Sequence, residues 1–439
     1  MPIWKVIYIY HMSTSEFDKY KVDHLFLLIG ENLLPNYVAA NLLVNKGKSL
    51  YLIHTTDTER QAKRLQGILL NDEINGLKAV ELRSLNDYES DAYYIQKEIR
   101  TKLETIKSGK IGLNYTGGTK VMSAHAYRTL FYEETKDKTY RQRADIIFSY
   151  LDPRRLEMCI DKEDSDRIRL KIKPDTLSIE LVKIFQLHGL ELKKKPTQQA
   201  QLPKLATELA NVFKEETKSK QWFDWFYNVF REQAYQQKSN GKGDWKSNTS
   251  LMEVLTPLEK LPEEIIAAFR KENFVTNDDK LSLQQLQKTG SFKDIKHFCK
   301  WIDGVWLEHY VLEQVKNIAE KQLIRDYGMD FEIPLQGTQF QFDIAFTRGH
   351  QIFAISCTTS SDRKLCKSKL FEAYLRARQM GGDEARVALI CCFNEPDTLK
   401  AEILASTNDK KIAVFGREHL TNLSEEIANW IAQNDREAK

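Results

Sequence analysis

The sequence predicts an α/β protein in three parts. These are an N-terminal doubly wound parallel sheet over residues 1–175, a mostly helical connector over 176–294 and a second α/β core over 295–439. Three observations predict it. Short apolar runs alternate with helix-periodic segments over residues 20–175, which is the pattern of a parallel sheet covered on both faces. Residues 176–300 are instead rich in Lys, Glu, Gln and Leu at helical spacing. Residues 340–390 read as strand, turn, strand, loop, helix, strand.

In the first part the strand-sized runs are 24–30 (HLFLLIG), 49–54 (SLYLIH), 78–83 (KAVELR), 110–115 (KIGLNY) and 146–151 (IIFSYL). Helical patterns lie between them, as at 36–46 and 57–70. The right-handed crossover rule turns this alternation into a Rossmann-like domain. The opening stretch 1–12 is apolar enough for an edge strand but lacks the basic region and cleavage site of a signal peptide. In the connector, SIELVKIFQLHGLEL and LPKLATELANVFKEE are amphipathic helices, and SNGKGDWKSN at 239–248 is a polar loop. Strand-sized pieces such as ENFVTND leave room for winged-helix character. Aromatic residues 222, 223, 226 and 230 share one helical face, which predicts packing rather than base stacking. In the third part DGVWLEHYVLEQV is a helix, a hairpin follows with Arg348-Gly349-His350 at its turn, and EEIANWIAQ closes the chain as a helix.

The bulk numbers describe a soluble globular protein: 439 residues, 42% apolar, 29% charged. No apolar run approaches the roughly 18–20 residues that a membrane span needs. The six cysteines form no CxxC pair, so neither a zinc site nor a disulfide framework is expected, and the chain is expected to be cytoplasmic. A net charge of +3 means that any nucleic-acid surface must be local.

Two loops of the first part carry chemistry. GENLLPNYVAA follows the first strand and NYTGGTKVMSAHA follows the fourth. In a parallel sheet such loops face the ligand crevice. Gly117 and Gly118 permit close backbone approach, while Thr119 and Lys120 add a hydroxyl and a charge at a helix N-terminus, where an anion is favoured. A tight, capped turn is the alternative reading. G-x-x-x-x-G-K is absent, which disfavours NTP hydrolysis. GENLLPN and LNYTGGTKVMSAHA, with LIHTTDTERQAKRL between them, resemble CARF domains, the sensory domains of CRISPR-associated ancillary proteins. The resemblance implies a pocket at a homodimer interface that binds a cyclic oligoadenylate made by type III CRISPR complexes, either cyclic tetra-adenylate or cyclic hexa-adenylate. It assigns Gly30, Glu31, Asn32, Pro35 and Asn36 to the first loop of that pocket. Thr55 and Thr56 match the polar end of the second strand, and Asn114, Gly117, Gly118, Thr119 and Lys120 match the fourth-strand loop.

The third part suggests a metal site. Asp343 stands between Phe342 and Ile344 in a predicted strand, where an acid is costly to bury without a partner. Glu308 lies near the start of the preceding helix. Mg²⁺ or Mn²⁺ takes hard oxygens, so these two carboxylates, the Cys357 carbonyl and waters form a minimal ligand set for phosphodiester hydrolysis. The hydroxyls of Ser356 and Thr358 are weaker partners, and Lys364 or Lys367 supplies the cation from the following helix. His125 reads as packing, and Glu372 as an i,i+4 partner of Arg376, with a site carboxylate as its alternative role. The WLE helix, the aspartate strand with its ISC partner and GGDEARVALI resemble nucleases of the PD-(D/E)XK superfamily, as fused to CARF domains. That resemblance implies a restriction-endonuclease-like fold. Ser356 stands where such cores carry a second acid, and Thr358 stands where they carry a lysine.

Two functions follow as expectations. One is a homodimeric, metal-dependent nuclease that cuts DNA or RNA once a cyclic oligoadenylate binds. The other is a sensor whose nuclease fold has lost catalysis and binds nucleic acid or a partner protein. A DNA-binding regulator acting through the helical middle is a third possibility.

Overall fold

The computed structural model describes residues 15–72, 76–134, 137, 139–143, 145–162, 165–237, 243–331, 333–335, 338–340 and 343–438. Expectations for 1–12, for 239–242 of the polar loop and for Phe342 lie outside the described residues. The chain divides into two compact units, Met1–Lys173 with Leu187–Gly189 and Pro174–Gln186 with Leu190–Lys439.

In the first unit, strands β1 (Val22–Leu28), β2 (Val44–His54), β3 (Ala79–Ser84), β4 (Ile111–Asn114) and β5 (Ile146–Asp152) run parallel in the order β3-β2-β1-β4-β5. Antiparallel β6 (Glu157–Ile160) and β7 (Ile168–Lys171) extend the sheet beyond β5. The crossovers contain α1 (Leu34–Leu43), α2 (Glu59–Leu70), α3 (Ala92–Thr105) and α4 (Lys120–Phe131). Leu25 to Ile29 are at most 1% exposed, because helices cover both faces of the strand. Phe26 and Leu28 pack with Ile95 and Ile99 of α3 and Met122 and Ala126 of α4. The chain winds outward from β1 through β2 to β3, then returns to β4 on the other side of β1. The strand order therefore reverses between β1 and β4, and the crevice of the sheet opens above their carboxyl ends.

After α5 (Leu181–Leu187), which is shorter than the pattern over 178–192, the second unit begins its helical part. It holds α6 (Pro203–Phe213), α7 (Glu216–Trp225) and a π-turn at Phe226–Phe230, then short helices up to Lys300 and a second π-turn at Trp301–Val305. Helix α8 (Trp306–Ile318) leads into β8 (Ile324–Met329), β9 (Ile344–Arg348) and β10 (Gln351–Cys357), which pair antiparallel in sequence order. Helix α9 (Arg363–Gly381) then crosses to β11 (Arg386–Ile390), and α10 (Pro396–Thr407) to β12 (Ile412–Phe415), both strands parallel to β10. Helix α11 (Leu423–Glu437) ends the unit. The order helix, three strands, helix, strand is the restriction-endonuclease-like core predicted from the sequence. The β9–β10 turn is the Gly349-His350 pair, with Gly349 at φ +63° and Arg348 facing Gln351.

The connector is not a separate body. One apolar core runs from Leu205 and Phe213 through Trp225 and Trp306 to Ile355, Ile390 and Ile431. Phe213 meets Trp306 edge-on at 4.9 Å. Two buried polar ties reinforce this. His309 Nδ1 accepts from the Gln201 N–H at 3.1 Å. The buried Arg417 guanidinium donates to the Phe213 carbonyl, to Ser219 Oγ at 2.8 Å and to Asn394 Oδ1 at 3.0 Å. The three-part division expected from composition thus becomes two units, because the connector's apolar faces are covered by the C-terminal core. Trp222, Phe226 and Phe230 are buried as predicted.

Candidate functional site

The crevice between β1 and β4 is built by glycine. A Cβ on Gly117 would stand 2.2 Å from the Leu28 carbonyl, and one on Gly118 would stand 2.9 Å from Leu28 Cβ. Gly118 also sits at φ +74°, the left-handed region that side chains avoid. The TGGT loop therefore lies directly on the end of β1. Thr119 caps α4, with its Oγ1 accepting from the Met122 N–H at 3.1 Å, and Thr119 and Lys120 are exposed. The first loop is held by Asn32, whose Oδ1 accepts from the Leu34 N–H at 3.0 Å at the start of α1. Pro35 follows in the first turn of that helix, and Gly30 packs against the Gly118 backbone. Glu31 and Thr56 are exposed at the same end of the sheet. The crevice thus presents two helix N-termini, a hydroxyl and one lysine, which is suited to a phosphodiester.

Three of the expected residues turn inward. Asn36 is fully buried and donates to the Leu28 carbonyl at 2.9 Å. Asn114 is buried and donates to Ser149 Oγ at 3.2 Å, tying β4 to β5. Thr55 exchanges hydrogen bonds with Thr58 at 3.0–3.2 Å and so closes the start of α2. These side chains hold the loops in place.

In the second unit Asp343 stands immediately before β9 rather than inside it. Its Oδ2 accepts from Ser356 Oγ at 2.9 Å and from the Cys357 N–H at 2.6 Å. Ser356, expected as a weak ligand, instead orients the aspartate. Thr358 is spent on the next turn, its Oγ1 accepting from the Ser360 N–H at 3.2 Å. Burial pushes the Glu308 carboxyl up to about 8; the charge of Asp343 adds to the rise and Lys369 opposes it. Burial, with Asp343 and Glu308 beside it, also holds the Cys357 thiol far above its usual range, so that thiol is inert.

The lysine assignment needs correcting. Lys364 is exposed, and Lys367 lies 3.2 Å from Glu402, which also pairs with Arg363. The amine beside the carboxylates is Lys369, whose Nζ donates to the Cys357 carbonyl at 3.2 Å. Helix geometry explains the choice. Lys369 is three residues after Cys366 and four before Ala373, both buried, so it lies on the side of α9 turned to the sheet. That spacing was the available signal in the sequence.

Among the described residues no three His, Cys, Asp or Glu side chains gather into a metal group. The donor set still suits Mg²⁺ or Mn²⁺, which bind through one or two carboxylates and keep several waters. Glu308 supports the fit, because a carboxyl that burial holds neutral gains most from a neighbouring cation.

Residues 25–153 match the family model of the Card1 CARF domain. The N-terminal unit is a CARF domain. A search of curated proteins finds no match to the chain. Among solved structures, protein VC1899 from Vibrio cholerae aligns at TM-score 0.65 and 16% identity, covering 94% of this chain and 98% of that one. Can2 from Sulfobacillus thermosulfidooxidans, solved in complex with cyclic tetra-adenylate, aligns at TM-score 0.62 and 15% identity over 94% of this chain and 98% of its own. At such identities the likeness is one of fold, and it extends well beyond the CARF domain. Among the described residues no helix is long and apolar enough to cross a membrane.

Outside the CARF domain, Glu308 gives the second site a pH signature. Its carboxyl is raised from 4.5 to about 8, so its neutral form favours the fold fully below pH 4.5, and that contribution is lost as pH rises through 8. Without divalent cation, the wild type is expected to lose roughly 2–4 kcal/mol between pH 6 and 9 that Glu308→Gln retains. Mg²⁺ is expected to raise the wild-type Tm more at pH 8.5 than at pH 6. Paired melting curves in chelator and in Mg²⁺ check this; equal pH slopes in the two proteins would remove Glu308 from the site.

Proposed function

We propose that this protein is a cyclic-oligoadenylate-activated, metal-dependent nuclease of type III CRISPR defence. The reading takes cyclic tetra-adenylate as activator, from the Can2 likeness, and DNA or RNA as substrate. The active form is a homodimer around the cyclic ligand. The observation that carries the nuclease half is the convergence of Asp343, Glu308 and Lys369 at the end of the β9–β10 hairpin. When bound, a divalent cation would activate water and neutralise charge on the phosphate. Asp343, fixed by Ser356 and the Cys357 N–H, offers its second oxygen as a ligand. Glu308 completes the carboxylate pair. Lys369 stabilises the negative charge that grows on the phosphoryl oxygens as the bond to the leaving oxygen breaks.

Activation requires the ligand to prefer the active arrangement. A 100-fold rise in rate by population shift needs about 2.7 kcal/mol of differential binding. The test is cleavage of plasmid DNA and of labelled RNA in Mn²⁺, with and without cyclic tetra-adenylate. The wild type is expected to cut only with the ligand, and Asp343→Ala not at all. Equal behaviour of the two proteins would favour the second reading, a sensor that has lost catalysis. Ser356 and Thr358 motivate that alternative, since both stand where an acid and a lysine are usual.

A further inference from the structure

We infer that the surface around Tyr227, with Phe223, Arg231 and Tyr235 beside it, is a stacking platform for unpaired bases of a substrate strand. The inference rests on the nuclease reading above and names where its substrate lies. The aromatic run QWFDWFYNVF splits between two faces in the structure. Trp222, Trp225, Phe226 and Phe230 enter the core, while Tyr227 is 48% exposed. Beside Tyr227 lie the half-buried Phe223 and Arg231, and then Tyr235, half-buried at the start of the strand that follows the helix. Phe223 stacks on Tyr227 at 6.1 Å with a 19° interplanar angle. The Arg231 guanidinium lies 5.6 Å from the Tyr227 ring and 4.2 Å from the Tyr235 ring. Planar rings interleaved with a guanidinium bind bases through their faces and phosphates through charge, without reading sequence.

The position of this ladder points to the substrate strand. Phe223 and Tyr227 line a narrow cleft together with Asp303, Gly304 and Thr359. Thr359 is two residues beyond Cys357, whose carbonyl receives Lys369. This small gap, of about 10 Å³, therefore lies beside the loop that follows the carboxylate–lysine cluster. Its two walls are the π-turns at Phe226–Phe230 and Trp301–Val305, an irregularity that recurs at functional sites. A base can reach such rings only when it has left its own helix stack, so the platform selects single strands over duplex.

The experiment measures binding of a fluorescein-labelled 20-nucleotide single strand and of the matching duplex by anisotropy. It uses the full-length Asp343→Ala protein, with and without cyclic tetra-adenylate. The single strand is expected to bind more tightly than the duplex. Tyr227→Ala should weaken single-strand binding about 5- to 100-fold and leave duplex binding within twofold. Tyr227→Trp should restore it, and Arg231→Lys, which keeps the charge but loses the plane, should weaken it. Melting curves establish that the variants fold. Undiminished single-strand binding by Tyr227→Ala, or no binding by any protein, overturns the platform even where the wild type cuts. Tyr227-dependent binding in a chain whose wild type never cuts leaves the platform standing and overturns the nuclease reading instead.

Discussion

Lys369→Ala is expected to lower ligand-activated cleavage by about 10²–10³-fold, the cost of removing one well-placed donor from a developing charge. Lys364→Ala should stay within a few-fold of wild type. The contrast follows from position. Lys369 Nζ reaches the Cys357 carbonyl and acts on the Glu308 carboxyl, whereas Lys364 is exposed on α9 and Lys367 engages Glu402. Lys369→Arg keeps the charge but not the compact ammonium, and should recover only part of the activity. The measurement is single-turnover cleavage at saturating cyclic tetra-adenylate, with ligand affinity as a control that should not move. If Lys364→Ala is the variant that fails, the cluster has been assigned to the wrong amine.

Gly117→Ala is expected to remove ligand response altogether. The added methyl would fall 2.2 Å from the Leu28 carbonyl and 3.2 Å from Asn36 Oδ1, so the TGGT loop must lift away from the end of β1. Overpacking of this kind costs about 2–3 kcal/mol, a fall in Tm of roughly 5–10 °C for a unit of this size. Displacing the loop also displaces the Thr119 cap and the start of α4, which form one wall of the crevice. Gly67→Ala is the control. It lies within α2 with open space around it, and should stabilise by about 0.5–1 kcal/mol. Calorimetric titration with cyclic tetra-adenylate distinguishes the two, and wild-type affinity in Gly117→Ala would show that the crevice is not the ligand site.

Much of the fold was legible because its signals are local and repeated. Five apolar runs separated by helical patterns leave few topologies, and β1 to β5 fall within a few residues of those runs. The hairpin turn was legible because Gly349 is needed at φ +63°. The merging of the connector with the C-terminal core was not. It depends on contacts between residues about a hundred or more apart in sequence, such as Phe213 with Trp306 and Gln201 with His309. The same limit applied at the sites. Asn36, Asn114 and Thr55 sit in loops that carry the right chemistry, but only three dimensions reveal that their polar atoms serve the backbone. Lys369 was hidden among three lysines of one helix, where rotation about the axis decides which of them meets the Cys357 carbonyl.

The tie between Arg417 and Phe213, with its companions Ser219 and Asn394, bears on how such a chain is modified or recombined. A cut at residue 294 would take Phe213 and Ser219 from the Arg417 guanidinium, leaving it Asn394 alone, and would separate Trp306 from Phe213. A workable seam falls instead near Lys173. An exchange at that seam would carry the helical middle together with the C-terminal sheet, because one apolar core joins them.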